Sequence, residues 1–169
     1  SEDEITTFVD ILLAARERDS TIFFIGNGGS AATASHFAND IGIGTRSWDK
    51  PFKAMSLTDN NAVMTAIGND YGYSDIFKKQ LEVHMTSGDV VVAISASGNS
   101  LNLVNAIEYA NEKGGVSVGL TAFDGGKLKE ICHYGIHVPC HKGEYGPAED
   151  AHMIIDHLVH AYLSTTIRS

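Results

Sequence analysis

The sequence predicts an α/β protein, a three-layer α/β/α sandwich built on a five-stranded parallel sheet, and three observations carry that expectation. Short apolar runs alternate with segments of helical periodicity along the chain. The runs are continuous, as in Phe23-Phe24-Ile25 and Val90-Val91-Val92, which suits strands buried on both faces. Two glycine- and serine-rich turns, at residues 25–31 (Ile-Gly-Asn-Gly-Gly-Ser-Ala) and 94–100 (Ile-Ser-Ala-Ser-Gly-Asn-Ser), each follow such a run and open a helical segment.

Taken in order, Ser1 and Glu4 stand at capping-box spacing, and Ile5, Phe8, Val9, Leu12 and Leu13 recur at helical intervals. They predict an amphipathic helix over 2–18. Strands are expected at 21–25, 52–57, 89–95, 116–121 and 134–138, and helices at about 30–42, 60–68, 73–86, 99–113, 126–131 and 148–165. No linker, repeat or low-complexity run divides the chain, and 169 residues suffice for one well-buried domain.

A formal charge of −9 argues against a nucleic-acid partner, which is bound through clustered Lys and Arg. No apolar run approaches the roughly 18 residues of a membrane span, and no signal-peptide pattern is present, so the expected compartment is the cytoplasm. Cys132 and Cys140 form no C-x-x-C pair and are expected as reduced thiols.

A helix N-terminus carries unpaired N–H groups and partial positive charge, so a glycine-rich turn leading into one can cradle an anion. Ser30, Ser95, Ser97 and Ser100 add neutral donors, and neither turn contains lysine. This favours a sugar phosphate over a nucleoside triphosphate. In open α/β sheets ligands sit beyond the carboxyl ends of the strands, where both turns fall. Gly26-x-Gly28-x-x-Ala31 also fits a dinucleotide fingerprint. That reading needs an acidic residue about 20 positions on, and Asp59 at the next strand end lies too far along. It also leaves the second turn without a task, so no nucleotide cofactor is expected. Both turns could also be tight connections alone.

On a wheel of about 100° per residue, His36 and Asp40 share the polar face of the helix after the first turn. In the last helix Ala151, Ile154, Ile155, Leu158 and Tyr162 form an apolar stripe, expected to face the core. Glu149, His152, Met153, Asp156, His157 and His160 line the other side. Imidazoles and carboxylates together suit acid–base chemistry on a sugar carbonyl. The set His36, Asp40, Glu149 and His157 could equally hold a divalent metal such as Zn²⁺. Taken singly, either face reads as solvated surface.

Several stretches in order resemble the SIS (sugar isomerase) domain superfamily, and within it the phosphoheptose isomerase family. They are the Gly26–Ser30 turn, His36-Phe37-Ala38, Gly68-Asn-Asp-Tyr-Gly72, the Ser95–Ser100 turn, Lys113-Gly114, Asp124-Gly-Gly-Lys127 and His152 to His157, a resemblance running from Thr21 to Tyr162. It implies a flavodoxin- or Rossmann-like SIS domain that converts sedoheptulose 7-phosphate to D-glycero-D-manno-heptose 7-phosphate, towards surface-polysaccharide heptose. Such proteins are typically homotetramers with sites at subunit interfaces, and some bind zinc.

The resemblance implies that Ser95, Ser97 and Ser100 hold the phosphate, while Asn27, Gly28, Ser30 and Asp70 address the sugar. Without it, Asp70 reads as a turn residue. Asp40 falls where the family has a glutamate base, His157 on its acid–base histidine, His36 on a histidine that can complete a metal site, and Glu149 on a glutamine that contacts substrate or metal. Two of these are departures. Aspartate withdraws its carboxylate by about 1.5 Å, one carbon–carbon bond, and a misplacement of about 1 Å can cost on the order of 100-fold in rate. Glu149 adds a charge beside another carboxylate, which favours a bound cation. Gly146 also stands where the family tends to have a substrate-binding aspartate, and the N-terminal helix looks shorter than usual. These departures are what a non-catalytic sugar-phosphate-binding protein acting through a protein partner, like the superfamily's replication-initiator-associating members, would also show.

Overall fold

The structure is a computed structural model describing residues 1–167. Five strands form one parallel sheet: β1 (Thr21–Gly26), β2 (Lys53–Ser56), β3 (Val90–Ser95), β4 (Val116–Ala122) and β5 (Tyr134–Val138), in the order β2-β1-β3-β4-β5. That is the flavodoxin-like order. The chain leaves β1 for one edge and then returns to add β3 on the other side, so a crevice opens beyond the ends of β1 and β3. Each of those ends runs into one of the two serine turns.

Side chains alternate faces along a strand, and here both faces are apolar. Ile22 and Phe24 of β1, with Val90, Val92 and Ile94 of β3, meet α1 (Glu2–Glu17), α2 (Gly29–Asn39) and α7 (Tyr145–Thr166). Phe23, Ile25, Val91 and Ala93 meet the opposite layer, chiefly α4 (Lys78–His84), α5 (Leu101–Glu112) and α6 (Gly126–Ile131), with α3 (Asn61–Asp70) at its margin. The continuous apolar runs therefore mark a sheet covered on both sides. Phe24 stacks on Phe37 of α2 at 5.1 Å, and Phe8 of α1 meets the same ring edge-on at 6.1 Å, locking α1 and α2 to the sheet. The capping box of α1 forms as its sequence predicts.

Four element boundaries differ from expectation. β2 is limited to Lys53–Ser56. The helix expected over 73–86 is a 3₁₀ turn, Tyr73–Asp75, followed by α4, with Ile76 and Phe77 buried at the break and Gln80 Nε2 donating to the Ile76 and Leu57 carbonyls. α2 widens into a π-helical turn at Asp40–Gly44, where Gly44 leaves room for the His160 ring. α7 begins at Tyr145, with Pro147 in its first turn, where a missing N–H costs nothing.

The larger correction concerns which side of α7 is buried. Ala148, His152, Ile155, Asp156, Val159 and Leu163 face inward. The outer arc expected to meet the core is open instead, with Ile154 65%, Leu158 51% and Tyr162 55% exposed. The wheel ranks faces by apolarity, whereas α7 carries two useful faces and turns the one with His152 and Asp156 towards the sheet and α2. Among the described residues no helix is long and apolar enough to cross a membrane.

Candidate active site

Both serine turns are shaped by backbone conformations that glycine supplies. Gly28 sits at φ 55° as the residue before α2, and its carbonyl accepts from Ala31 and Ala32. Gly98 sits at φ 65°, where a Cβ would collide with the Gly125 carbonyl oxygen. The turns are also tied to their surroundings. Asn27 and Asn102 exchange side-chain amide hydrogen bonds at 3.0 and 2.8 Å, and the Tyr73 hydroxyl donates to the same Asn27 oxygen at 2.9 Å. Ser95 Oγ accepts from the Gly98 N–H at 3.0 Å, and Ser97 Oγ from Asn99 N–H at 3.4 Å. Ser100 precedes α5 without spending its hydroxyl on a cap.

Between the turns lies a cavity of about 170 Å³, lined by Asn27, Ser30, Ser95, Ser97 and Ser100, with Tyr145 and Glu149 from α7. The N-termini of α2 and α5 border it. The Glu149 carboxylate lies over the start of α2, so close that a Cβ on Gly29 would be 2.5 Å from Oε2. That position is favourable for a carboxylate, and it sets an acidic side chain on the wall of the cavity. Gly28 shapes this wall without lining it. Asp70, expected to address the sugar, is an exposed residue at the end of α3 that accepts from Asn69 Nδ2 at 2.8 Å and does not line the cavity. Asp59, the residue weighed for a nucleotide ribose, accepts hydrogen bonds from Ser35 and Thr58.

Two turns further along α2 and α7 a second group assembles. His36 Nε2 lies 3.3 Å from His157 Nε2, 3.5 Å from Asp40 Oδ2 and 3.9 Å from Asp156 Oδ2. One ligand atom from each of His36, Asp40, Asp156 and His157 lies within 4.8 Å of every other. Asn39 Nδ2 donates to Asp40 Oδ1 at 2.9 Å, and His160 Nδ1 lies 3.6 Å from Asp40 Oδ2. Of the four expected metal-binding residues, His36, Asp40 and His157 meet here, and Glu149 is not among them.

Asp156 and His160 complete the group and were not singled out from the sequence. Their only signal there was a place beside His157 on the polar side of the helical wheel. Asp156 is fully buried, and neither carboxylate oxygen has a hydrogen-bond partner among the described residues. Burial first, and then the Asp40 carboxylate, push its carboxyl up to about 7. A tetrahedral ion with bonds of about 2.0–2.2 Å needs donors about 3.3–3.5 Å apart. The His36–His157 and His36–Asp40 spacings match that range, whereas Asp156 Oδ2 stands farther off, at 3.9 Å from His36 Nε2.

The family model described as SIS domain matches residues 1–122. A phosphoheptose isomerase from Aneurinibacillus thermoaerophilus is 39% identical over 152 residues, 89% of this chain and 75% of that protein. One from Rhodospirillum rubrum is 40% identical over 149 residues, 88% and 78% respectively. The chain belongs to the phosphoheptose isomerase family of SIS-domain proteins. The structure of a phosphoheptose isomerase from Neisseria gonorrhoeae superposes with a TM-score of 0.87 at 31% identity, covering 96% of this chain and 86% of that one. Asp40 stands at the position the resemblance gives to a glutamate base, Glu149 at that of a glutamine, and Asp156 adds a third carboxylate on the inner side of α7.

Proposed function

We propose that this chain is a phosphosugar aldose–ketose isomerase that converts sedoheptulose 7-phosphate to D-glycero-D-manno-heptose 7-phosphate. Its relatives' activity supports the reaction class. The single observation that most supports the substrate is the spacing of two chemically different sites on one helix pair. His36 lies six residues beyond Ser30 on α2, about 9 Å along the axis at 1.5 Å per residue. From C2 of a seven-carbon sugar to a phosphorus on its O7 is seven bonds, again roughly 9 Å at about 1.25 Å advance per bond. A phosphate in the serine-turn cavity therefore brings the C1–C2 end of a heptose to the His–Asp group.

In this reading the N–H groups at the starts of α2 and α5 and the Ser100 hydroxyl hold the phosphate. Asp40, steadied by Asn39, removes a proton from C1 of the ketose and returns it to C2. His157 takes the O1 proton and delivers one to O2, so that the enediol collapses to the aldose with no net gain or loss of protons. No electron acceptor is involved. A Zn²⁺ ion held by His36, Asp40 and His157 alone would keep a position open to the sugar and polarise its carbonyl oxygen.

The exposed arc Ile154, Leu158 and Tyr162 supports a contact with a further copy of the chain. A homotetramer is the proposed assembly, checked by sedimentation. The isomerase itself is tested by incubating the protein with sedoheptulose 7-phosphate in D₂O and following the anomeric and C2 protons. Conversion with deuterium incorporation at C2 is expected. Neither conversion nor exchange with any heptose, hexose or pentose phosphate would leave only sugar-phosphate binding.

A further inference from the structure

Among the described residues no Lys, Arg or His lines the cavity between the serine turns. A phosphomonoester brings a charge of about −1.5 to −2 at neutral pH and strongly accepting oxygens, so each unspent neutral donor on the wall counts. The turns supply theirs from the ends of β1 and β3. From α7 come only Tyr145 and Glu149, one helical turn apart, and of these only Tyr145 carries a hydroxyl. That hydroxyl makes no hydrogen bond among the described residues. The ring, by contrast, is held. Phe123 meets it edge-on, with centroids 5.1 Å apart and planes at 85°.

Phe123 itself sits at φ 53°, a left-handed conformation that a bulky side chain rarely adopts. Strain of this kind persists only where the surroundings over-determine it, and it gathers at ligand clamps. Here the surroundings are the cavity's own walls. Phe123 packs against a small cluster of Ala96, Ala122 and Ala148, and the Ala122 N–H donates to the Ala96 carbonyl at 3.0 Å. The end of β4, the second serine turn and the first turns of α7 are thereby one packed unit. The chain enters α7 through Gly143, at φ 98°, whose carbonyl accepts from the Tyr145 N–H at 3.0 Å.

We infer that Tyr145 is a phosphate-binding residue, its hydroxyl donating to the anion from the α7 side of the cavity, and that Phe123 is a positioning residue that holds the phenol ring for this contact. The inference rests on the sugar-phosphate reading of the cavity. A hydrogen bond from a phenol to an anionic oxygen is charge-assisted, hence short and strong, and a tyrosine has only two side-chain torsions to order when it forms one. Tyr145 supplies from α7 what a cavity without cations lacks.

The test is calorimetric titration of the full-length protein with sedoheptulose 7-phosphate and, separately, with inorganic phosphate. Tyr145→Phe keeps the ring and its contact with Phe123 and removes only the hydroxyl. It should weaken both ligands by about 10-fold or more and melt with the wild type. Where turnover is measured, KM should rise by the same factor with kcat little changed. Phe123→Ala should weaken binding by at least about threefold in the wild-type background and not at all in Tyr145→Phe, a coupling that a general loss of stability would not produce. Loss of sedoheptulose 7-phosphate affinity with inorganic phosphate unaffected would assign the hydroxyl to the sugar and overturn the inference. An equal loss from Phe123→Ala in both backgrounds would remove Phe123 from it. Wild-type binding left unchanged by Tyr145→Phe would defeat the inference alone, whereas a wild type that binds neither ligand would defeat the sugar-phosphate reading with it.

Discussion

At the serine-turn end of the α2–α7 pair most of the polar side chains are already tied into the turns, with Ser100 left free, whereas at the His–Asp end they are not. Asn27 is held by Asn102 and Tyr73, and Ser95 closes its own turn through Gly98. About 9 Å along the helix pair the regime is the opposite: among the described residues neither Asp156 oxygen has a hydrogen-bond partner, and two imidazoles face each other at 3.3 Å. The first end is rigid before any ligand arrives and offers helix dipoles. The second is unsatisfied until a proton or a cation enters, which suits a site whose work is to move charge.

The sharpest way to break this comparison is to remove the groups that move the proton. His157→Ala or Asp40→Asn should lower kcat by roughly 10²–10⁴-fold while phosphate binding at the other end survives. Rates of conversion and of C–H exchange in D₂O, beside a binding isotherm for the sugar phosphate, check both halves. Loss of binding along with turnover would mean that the two ends are one site.

The rigid end should break through its backbone. Gly98→Ala places a Cβ against the Gly125 carbonyl at a positive φ, which should cost more than about 2 kcal/mol of stability, read from urea unfolding. A near-neutral result would show that the second turn is not preorganised in this way.

The two ends were also unequally legible. The strands, the two turns and the i, i+4 pair His36/Asp40 follow from periodicities that the chain displays locally. The Asn27–Asn102 lock does not, because its halves are separated by 75 residues and asparagine is common in turns. Asp156 escaped because a carboxylate on a helical wheel reads as solvated. Its burial depends on α7 turning His152 and Asp156 inward and leaving Ile154, Leu158 and Tyr162 outside. A single helix with two faces worth burying does not reveal from its own sequence which one its own chain covers.

Glu149 joins the comparison as the one acidic or basic side chain, among the described residues, that lines the cavity between the turns. Glu149→Gln removes a carboxylate from beside the anion cavity, so KM should fall, by about fivefold for a gain of about 1 kcal/mol, and the gain should shrink as salt screens it. The same change removes a favourable charge from the start of α2 and should cost roughly 0.3–1 kcal/mol of stability. An unchanged or raised KM would instead make Glu149 a direct sugar contact.

Between the two ends, on the inner face of α7, His152 gives the smallest effect and the cleanest control for Asp156. It is buried with Nε2 3.4 Å from the Thr121 carbonyl oxygen, and burial holds its pKa below the usual histidine value. Above pH about 6.5 the imidazole is neutral folded or unfolded and contributes no pH dependence. As pH falls below that value the unfolded chain takes up a proton that the folded one resists, so stability declines, by no more than about 1.4 kcal/mol per pH unit. Melting temperatures of metal-free wild type and His152→Gln between about pH 5 and 7 should therefore converge at the upper end and separate at the lower, with wild type losing more. Asp156 has the opposite sign, since a carboxyl raised to about 7 makes the folded protein the better proton binder in that range. Removing His152 should accordingly expose a metal-free protein that grows more stable towards pH 5, and a flat profile in that variant would show that Asp156 is less isolated than its unpaired oxygens indicate.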